Sequence, residues 1–180
     1  PVWEKYTTGK KNVIVAVVDG GIDITHEDLK DNLYVNEKEK NGQPNVDDDG
    51  NGFVDDIYGY NFVTAKDVVG GTIEPDDGGH GTHVAGTVAA RNNNGKGVAG
   101  IAGGDGSPDS GVRLLSCQIF RNKDEQGDAA AAIKYAADNG AVICQNSWGY
   151  SSAANVTAMP QLLKEAVDYF IKMAGCDANG

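Results

Sequence analysis

Val13-Ile14-Val15-Ala16-Val17-Val18-Asp19-Gly20-Gly21 is the stretch on which the fold turns. Five β-branched residues and one alanine in an unbroken run, with no polar alternation, are the pattern of a strand buried on both faces, as in a parallel sheet covered by helices on each side. The run ends at Asp19 and a glycine pair. Toward the C-terminus, residues 41–56 read as a Gly/Asn/Asp loop, and the alternate aromatics Tyr58, Tyr60 and Phe62 predict a half-buried strand. Thr82 to Ala90 is small and apolar and predicts a closely packed helix. A strand follows at Val112–Phe120, then a helix from an Asp128 N-cap through Asn139, stopped by Gly140, then a strand at Ala141–Gln145. Pro160 opens a last helix with Leu163, Ala166, Val167, Phe170 and Ala174 on one face, closed by Gly175. Strands alternating with helices predict βαβ units with right-handed crossovers, hence an α/β fold of three αβα layers around a mainly parallel sheet, in one domain over residues 1–180. The last helix has no strand after it, so the fold is expected to be incomplete at its C-terminus. Leu163, Val167 and Phe170 would then face a sheet lacking its next strands, and the piece would tend to self-associate.

The composition narrows the partners. A formal net charge of -11 without a Lys/Arg stripe argues against nucleic acid, because like charges repel. It favours cations. No apolar run approaches the ~20 residues that span a bilayer. Cys117 and Cys144 sit in apolar strand-like runs and read as buried thiols, and with Cys176 they make an odd number, which leaves the redox compartment open. The chain starts at Pro1 without a methionine or signal-like segment, as expected of a processed or excised piece.

Asp19 stands directly after the buried strand, where open α/β sheets place their ligands, although a carboxylate beside two glycines is also an ordinary turn residue. Gly79-His80-Gly81-Thr82-His83-Val84-Ala85-Gly86 sets two of the three histidines at i and i+3 near the start of the small-residue helix. One of them can be a general base. A two-histidine metal site lacks the HExxH spacing and its glutamate. Two histidines satisfied by local hydrogen bonds are the other alternative. Asp47-Asp48-Asp49-Gly50-Asn51-Gly52 with Asp55-Asp56 gives oxygens at alternate positions and a glycine at the sixth place, like the first half of an EF-hand loop. Tyr58 stands where the bidentate glutamate would be, so it is not an EF-hand. A hard cation, Ca2+, held by some of Asp47, Asp49, Asn51 and Asp55 is the preferred reading over a solvated acidic turn.

Three blocks together identify a family. Val-Val-Asp19-Gly-Gly-Ile-Asp23 with Thr25-His26-Glu27-Asp28-Leu29, the block His80–Gly86, and Asn146-Ser147-Trp148-Gly149 resemble the aspartate, histidine and substrate-strand blocks of the subtilases, the subtilisin-like serine proteases (peptidase family S8), in the family's order. The resemblance covers nearly the whole chain and implies an N-terminal part of a subtilisin-like catalytic domain. It implies that Asp19 orients His80, that His80 is the general base, and that His83 is a second, structural histidine. It also implies that Asn146, Ser147, Trp148 and Gly149 pair with the backbone of a polypeptide substrate, against the alternative of a strand end with Trp148 in the core. Gly20 departs from the family's usual Thr or Ser and should loosen the hydrogen bonding around Asp19.

The nucleophile is expected elsewhere. Ser107, Ser110, Ser116, Ser147, Ser151 and Ser152 are the only serines, and none lies in a Gly-Thr-Ser-Met-Ala-like block. The family's oxyanion-hole asparagine is implied to lie beyond Gly180 as well, so the chain by itself is expected to be inactive. A second calcium loop is implied by Asp28 and Asn94 with the backbone carbonyls of Arg91, Lys96 and Val98. The resemblance further implies a secreted or cell-surface setting. Gly95-Lys96-Gly97-Val98-Ala99-Gly100 spells G-x-G-x-x-G, but it follows a helix and not a strand, and no acidic residue in a ribose-binding context follows it. Asn155-Val156-Thr157 is a sequon of the kind most often met by chance. The rival classes are a non-catalytic calcium- or peptide-binding module, and a nucleotide-binding domain that would lack a phosphate loop after its first strand.

Overall fold

The buried run forms β1 (Ile14–Asp19), preceded by a short helix α1 (Val2–Lys5). In this computed structural model, residues 2–64, 69–75, 78–122, 124–150, 154 and 156–174 are described. After β1 come a short helix α2 (Glu37–Lys40), β2 (Gly59–Asn61), α3 (His80–Ala89), β3 (Arg113–Gln118), α4 (Ala129–Asp138), β4 (Ile143–Gln145) and α5 (Gln161–Met173). The sheet order is β2-β3-β1-β4 and every pairing is parallel. Because successive side chains on a strand point to opposite faces, β1 supplies two cores at once. Val15 and Val17 join Leu114, Ala85 and Ala89 under α3, while Ala16 and Val18 join Leu115, Cys117, Ala132, Ile133 and Tyr135 under α4. The expected three layers are therefore present, with α3 on one face and α4 and α5 on the other.

The boundaries follow local chemistry. The side chain of Asp128 accepts the Ala131 amide at 2.9 Å and caps α4, as expected. Gly79 adopts φ 61°, and α3 begins at His80, two residues ahead of the expected start. The last helix differs in its partner. Leu163, Ala166 and Phe170 are buried, but α5 lies mainly against α4 and not on the strands. An amphipathic stripe demands an apolar cover without saying whether a helix or a sheet provides it. Leu163 and Phe170 are thus covered, and the apolar residues left exposed on this side are others, such as Leu162 at 73%. Gly175, Cys176, Ser151, Ser152 and Asn155 lie outside the described residues. Cys117 and Cys144 are free thiols, and burial pushes both above the usual thiol range. Among the described residues no helix is long and apolar enough to cross a membrane.

Candidate active site

Parallel pairing brings the carboxyl ends of β1, β3 and β4 to one edge of the sheet, and Asp19 closes β1 there. Its side chain is buried, with Oδ1 accepting from the Gly20 amide at 2.7 Å and lying 2.7 Å from His80 Nδ1. In the neutral tautomer that suits a carboxylate partner, Nδ1 donates to Asp19 Oδ1. The imidazole is the more open member: its side chain is 56% exposed against 2% for that of Asp19. Asp19 Oδ2 is buried without a hydrogen-bond partner among the described residues. Gly20 contributes only its N–H, and it has no hydroxyl that could reach this oxygen.

Two glycines let the elements meet. Gly21 sits at φ 87°, and a Cβ on Gly81 would lie 2.4 Å from the Gly21 carbonyl oxygen. The first turn of α3 thus presses directly on the turn that follows Asp19, which is how a helix start and a strand end come within a hydrogen bond of each other. The Thr82 hydroxyl accepts from the Asp23 amide at 2.9 Å and fixes the same junction. His83 lies one turn further along α3 and is exposed.

Asn146–Gly149 passes the end of β1. Trp148 donates through Nε1 to the Val18 carbonyl at 3.0 Å and packs edge-on against Phe120, so it is both a core contact and the anchor of this segment. Asn146 and Ser147 are exposed, and Gly149 has open space where a Cβ would stand. Among the described residues, no backbone hydrogen bonds join 146–149 to a neighbouring strand.

Of the four loop residues expected to hold a cation, only Asp49 enters a cluster. One oxygen each of Glu39, Asp49 and Asp56 lies within 4.8 Å of the others. Asn51 borders it, donating through Nδ2 to Asp49 and to Asp56 at 3.0 Å. Asp47 instead accepts the amides of Gly52, Gly50 and Asn51, and these hold its carboxyl below the usual range. Asp55 turns to the Asn45 amide at 2.8 Å. Glu39 is the missed member. It is 3% exposed, and its carboxylate accepts the amides of Asp48, Asp49 and Asp55. Asp56 is buried and raised in pKa by that burial, against the lowering donors Tyr135, Asn51 and Asn36 and with Asp49 adding to the rise. Three converging carboxylates, two of them buried, form an all-oxygen donor set suited to a hard divalent cation.

Around Asp28 the expected residues Asn94, Lys96 and Val98 are joined by hydrogen bonds in which N–H groups, and not the expected carbonyls, face the Asp28 carboxylate and the Asn94 oxygen. Asp28 Oδ1 accepts from Asn94 Nδ2 at 2.6 Å and Oδ2 from the Val98 amide at 2.8 Å, while Asn94 Oδ1 accepts the Lys96 amide. A Cβ at Gly97 would lie 2.1 Å from Asp28 Oδ2. Lys96 closes the outside through a 2.9 Å ion pair with Glu27. This loop is the G-x-G-x-x-G stretch, which carries no strand before it.

The described serines are engaged elsewhere. Ser116 Oγ is buried and accepts the Ile22 amide at 3.2 Å, Ser147 Oγ accepts from Gln145 Nε2 at 2.6 Å, and Ser110 Oγ donates to the Ser107 carbonyl at 2.8 Å. Ser107 hydrogen-bonds Asp105.

The model of the subtilase family matches residues 10–177. Subtilisin-like protease 1 of Plasmodium vivax is 34% identical over 167 residues, covering 90% of this chain and 24% of that protein. The major intracellular serine protease of Bacillus subtilis is 33% identical over 167 residues, covering 92% of this chain and 42% of that protein. The crystal structure of fervidolysin from Fervidobacterium pennivorans, described as a keratinolytic enzyme related to subtilisin, superposes with a TM-score of 0.56 at 30% identity over 96% of this chain and 21% of its own. The chain therefore spans less than half the length of these relatives. With a family match over nearly its whole length, on a parallel sheet that sets an aspartate against a histidine, the chain belongs to the subtilase family.

Proposed function

We propose that Asp19 and His80 are the orienting carboxylate and the general base of a serine endopeptidase, whose nucleophile comes from sequence outside residues 1–180. The observation that carries this is the 2.7 Å contact between Asp19 Oδ1 and His80 Nδ1 at the carboxyl end of β1. Asp19 fixes the tautomer and stabilises the imidazolium, His80 Nε2 takes the serine proton as the hydroxyl attacks the peptide carbonyl, and the same proton goes to the leaving amine. An acyl-enzyme results, and water hydrolyses it by the reverse relay. Asn146, Ser147, Trp148 and Gly149 are read as the edge that pairs with an extended polypeptide, with Trp148 holding the segment beside the pair. A secreted setting belongs to this reading through the resemblance, although one relative is named as an intracellular enzyme. Self-association is also part of it, resting on Leu162 and on the exposed Val142 and Ile143 at edge strand β4. The test is covalent labelling by a fluorophosphonate of a longer protein that includes this chain. Labelling that survives His80→Ala undiminished would refute the assignment.

Calcium is proposed as the cation for Glu39, Asp49 and Asp56, with the Asp28 loop of Asn94, Lys96 and Val98 as a second site. Bound there, it would offset the mutual repulsion of the three carboxylates and tie α2 to the 47–56 loop. Binding only to the folded form stabilises by about 2.7 kcal/mol at a hundredfold excess over Kd. Millimolar calcium is expected to raise the melting midpoint relative to chelator. Glu39→Gln or Asp49→Asn should cut that rise, and Asp47→Asn should leave most of it. The pH dependence follows from Asp56. Its folded pKa is raised above the ordinary 3.8, so in the apo chain its stabilising share is present below that value and is lost as pH rises toward the folded one. The cation needs the ionised form, so the calcium-induced rise should shrink as pH falls through the same window. An equal midpoint with calcium and with chelator at neutral pH would remove both sites.

A further inference from the structure

We propose that Gln118 is a positioning residue for the Asp19–His80 pair, an inference that rests on the reading of that pair as the acid–base centre. Gln118 ends β3 level with Asp19 in the ladder, and the next amide, Ile119 N–H, donates to the Asp19 carbonyl at 2.8 Å. Its side chain is fully buried, a place an amide occupies only when its polar atoms are used. Oε1 accepts the Glu74 amide at 2.8 Å, and Nε2 donates to the Glu74 carbonyl and, at 3.0 Å, to the Phe120 carbonyl. One side chain thus bonds both backbone groups of Glu74, as a neighbouring strand would, although residues 69–75 belong to no strand. Asn61 holds the same segment further back, its amide donating to the Gly70 carbonyl at 2.7 Å and its Nδ2 to the Thr72 carbonyl at 3.3 Å. The segment is therefore fastened to the ends of β2 and β3, and Glu74 is six residues from His80 in the chain.

A second contact reaches His80 through the turn. A Cβ on Gly21 would lie 2.9 Å from the Gln118 amide group, and a Cβ on Gly81 would lie 2.4 Å from the Gly21 carbonyl oxygen. The backbone after Asp19 is thus enclosed between the Gln118 amide on one side and the first turn of α3 on the other. Gly81 follows His80 directly. Gln118 therefore touches both the Glu74 backbone, six residues ahead of His80 in the sequence, and the turn against which the helix of His80 is seated. Among same-length replacements, methionine keeps the bulk and discards the amide. Glutamate keeps an acceptor for the Glu74 amide, but it loses both Nε2 bonds and places negative charge against two carbonyls.

The test uses an isotope-labelled longer protein that includes this chain, at low temperature, reading by NMR the hydrogen-bonded Nδ1 proton of His80 and the exchange rates of the Glu74, Val15 and Leu114 amides. In Gln118→Met the Glu74 amide is expected to exchange about tenfold faster, as the loss of one or two net hydrogen bonds implies, and the Nδ1 proton to broaden into solvent exchange. Val15 and Leu114, inside the paired strands, should keep their protection. Should the methionine variant not fold, Gln118→Glu supplies the same readouts. An Nδ1 resonance unchanged in a folded variant overturns the proposal alone. Protection lost equally at Val15, Leu114 and Glu74 also overturns it, by assigning Gln118 a general role in the core. A wild-type chain without that resonance would refute the Asp19–His80 reading itself.

Discussion

Asp19→Asn in a longer protein that contains this chain and its nucleophile is expected to lower kcat by about 10⁴-fold and to leave KM nearly unchanged, the size of loss met when the aspartate of such a triad is made neutral. The asymmetry follows from burial. Asp19 is 1% exposed and offers almost no surface to a substrate, so the loss falls on the step in which His80 becomes charged. Oδ1 serves Gly20 and His80 at once, whereas Oδ2 has no donor among the described residues. An asparagine that keeps its oxygen toward Gly20 and His80 must bury an unpaired NH2 at the Oδ2 position. One that turns its NH2 toward His80 forces the wrong tautomer, with the proton on Nε2. Either way the imidazolium loses its counter-charge. The variant should be assayed with a chromogenic peptide and melted alongside the wild type. A kcat within tenfold of wild type, in a folded variant, would remove Asp19 from the role assigned to it.

Much of this arrangement was legible in the sequence because it depends on local chemistry and on which faces are buried. The run from Val13 to Val18 has no polar side to offer water, so a strand covered on both faces is its only comfortable place. Asp128 and Gly140 bound α4 by capping alone. The partner of α5 was not legible, since Leu163, Ala166 and Phe170 announce burial without naming what covers them. The cation cluster fails in a more specific way. Alternate acidic positions identify oxygens, but short loops also use such oxygens to cap their own amides, and Asp47 and Asp55 do so. Glu39 sits in Glu37-Lys38-Glu39-Lys40, which reads as a solvated charged turn, and its burial comes from the 48–55 loop folding over it. Gln118 reads only as one polar residue in a strand. Its clamp on Glu74 spans 44 positions, a separation that no periodicity encodes.

Residues 1–180 by themselves are expected to leave a fluorophosphonate unreacted and casein uncut, in calcium, whereas a longer protein carrying the serine reacts. A positioned general base contributes about 10²–10⁴-fold, but only against a hydroxyl held within hydrogen-bond reach. The described serines do not offer one. Ser107 and Ser110 precede β3, whose six residues at ~3.3 Å each put them about 20 Å from the sheet edge that carries Asp19. Ser116 is buried and accepts from Ile22, and turning its hydroxyl away would leave the Ile22 amide without that acceptor. Ser147 is nearer in the fold, but its hydroxyl already accepts from Gln145 Nε2, and its segment is the one proposed to pair with substrate. A missing oxyanion donor would cost roughly another 10²–10³-fold. Probe and protease assays on the purified chain, with and without His80→Ala, decide the matter. Labelling of residues 1–180 that His80→Ala abolishes would reveal a working nucleophile within them and sink the claim.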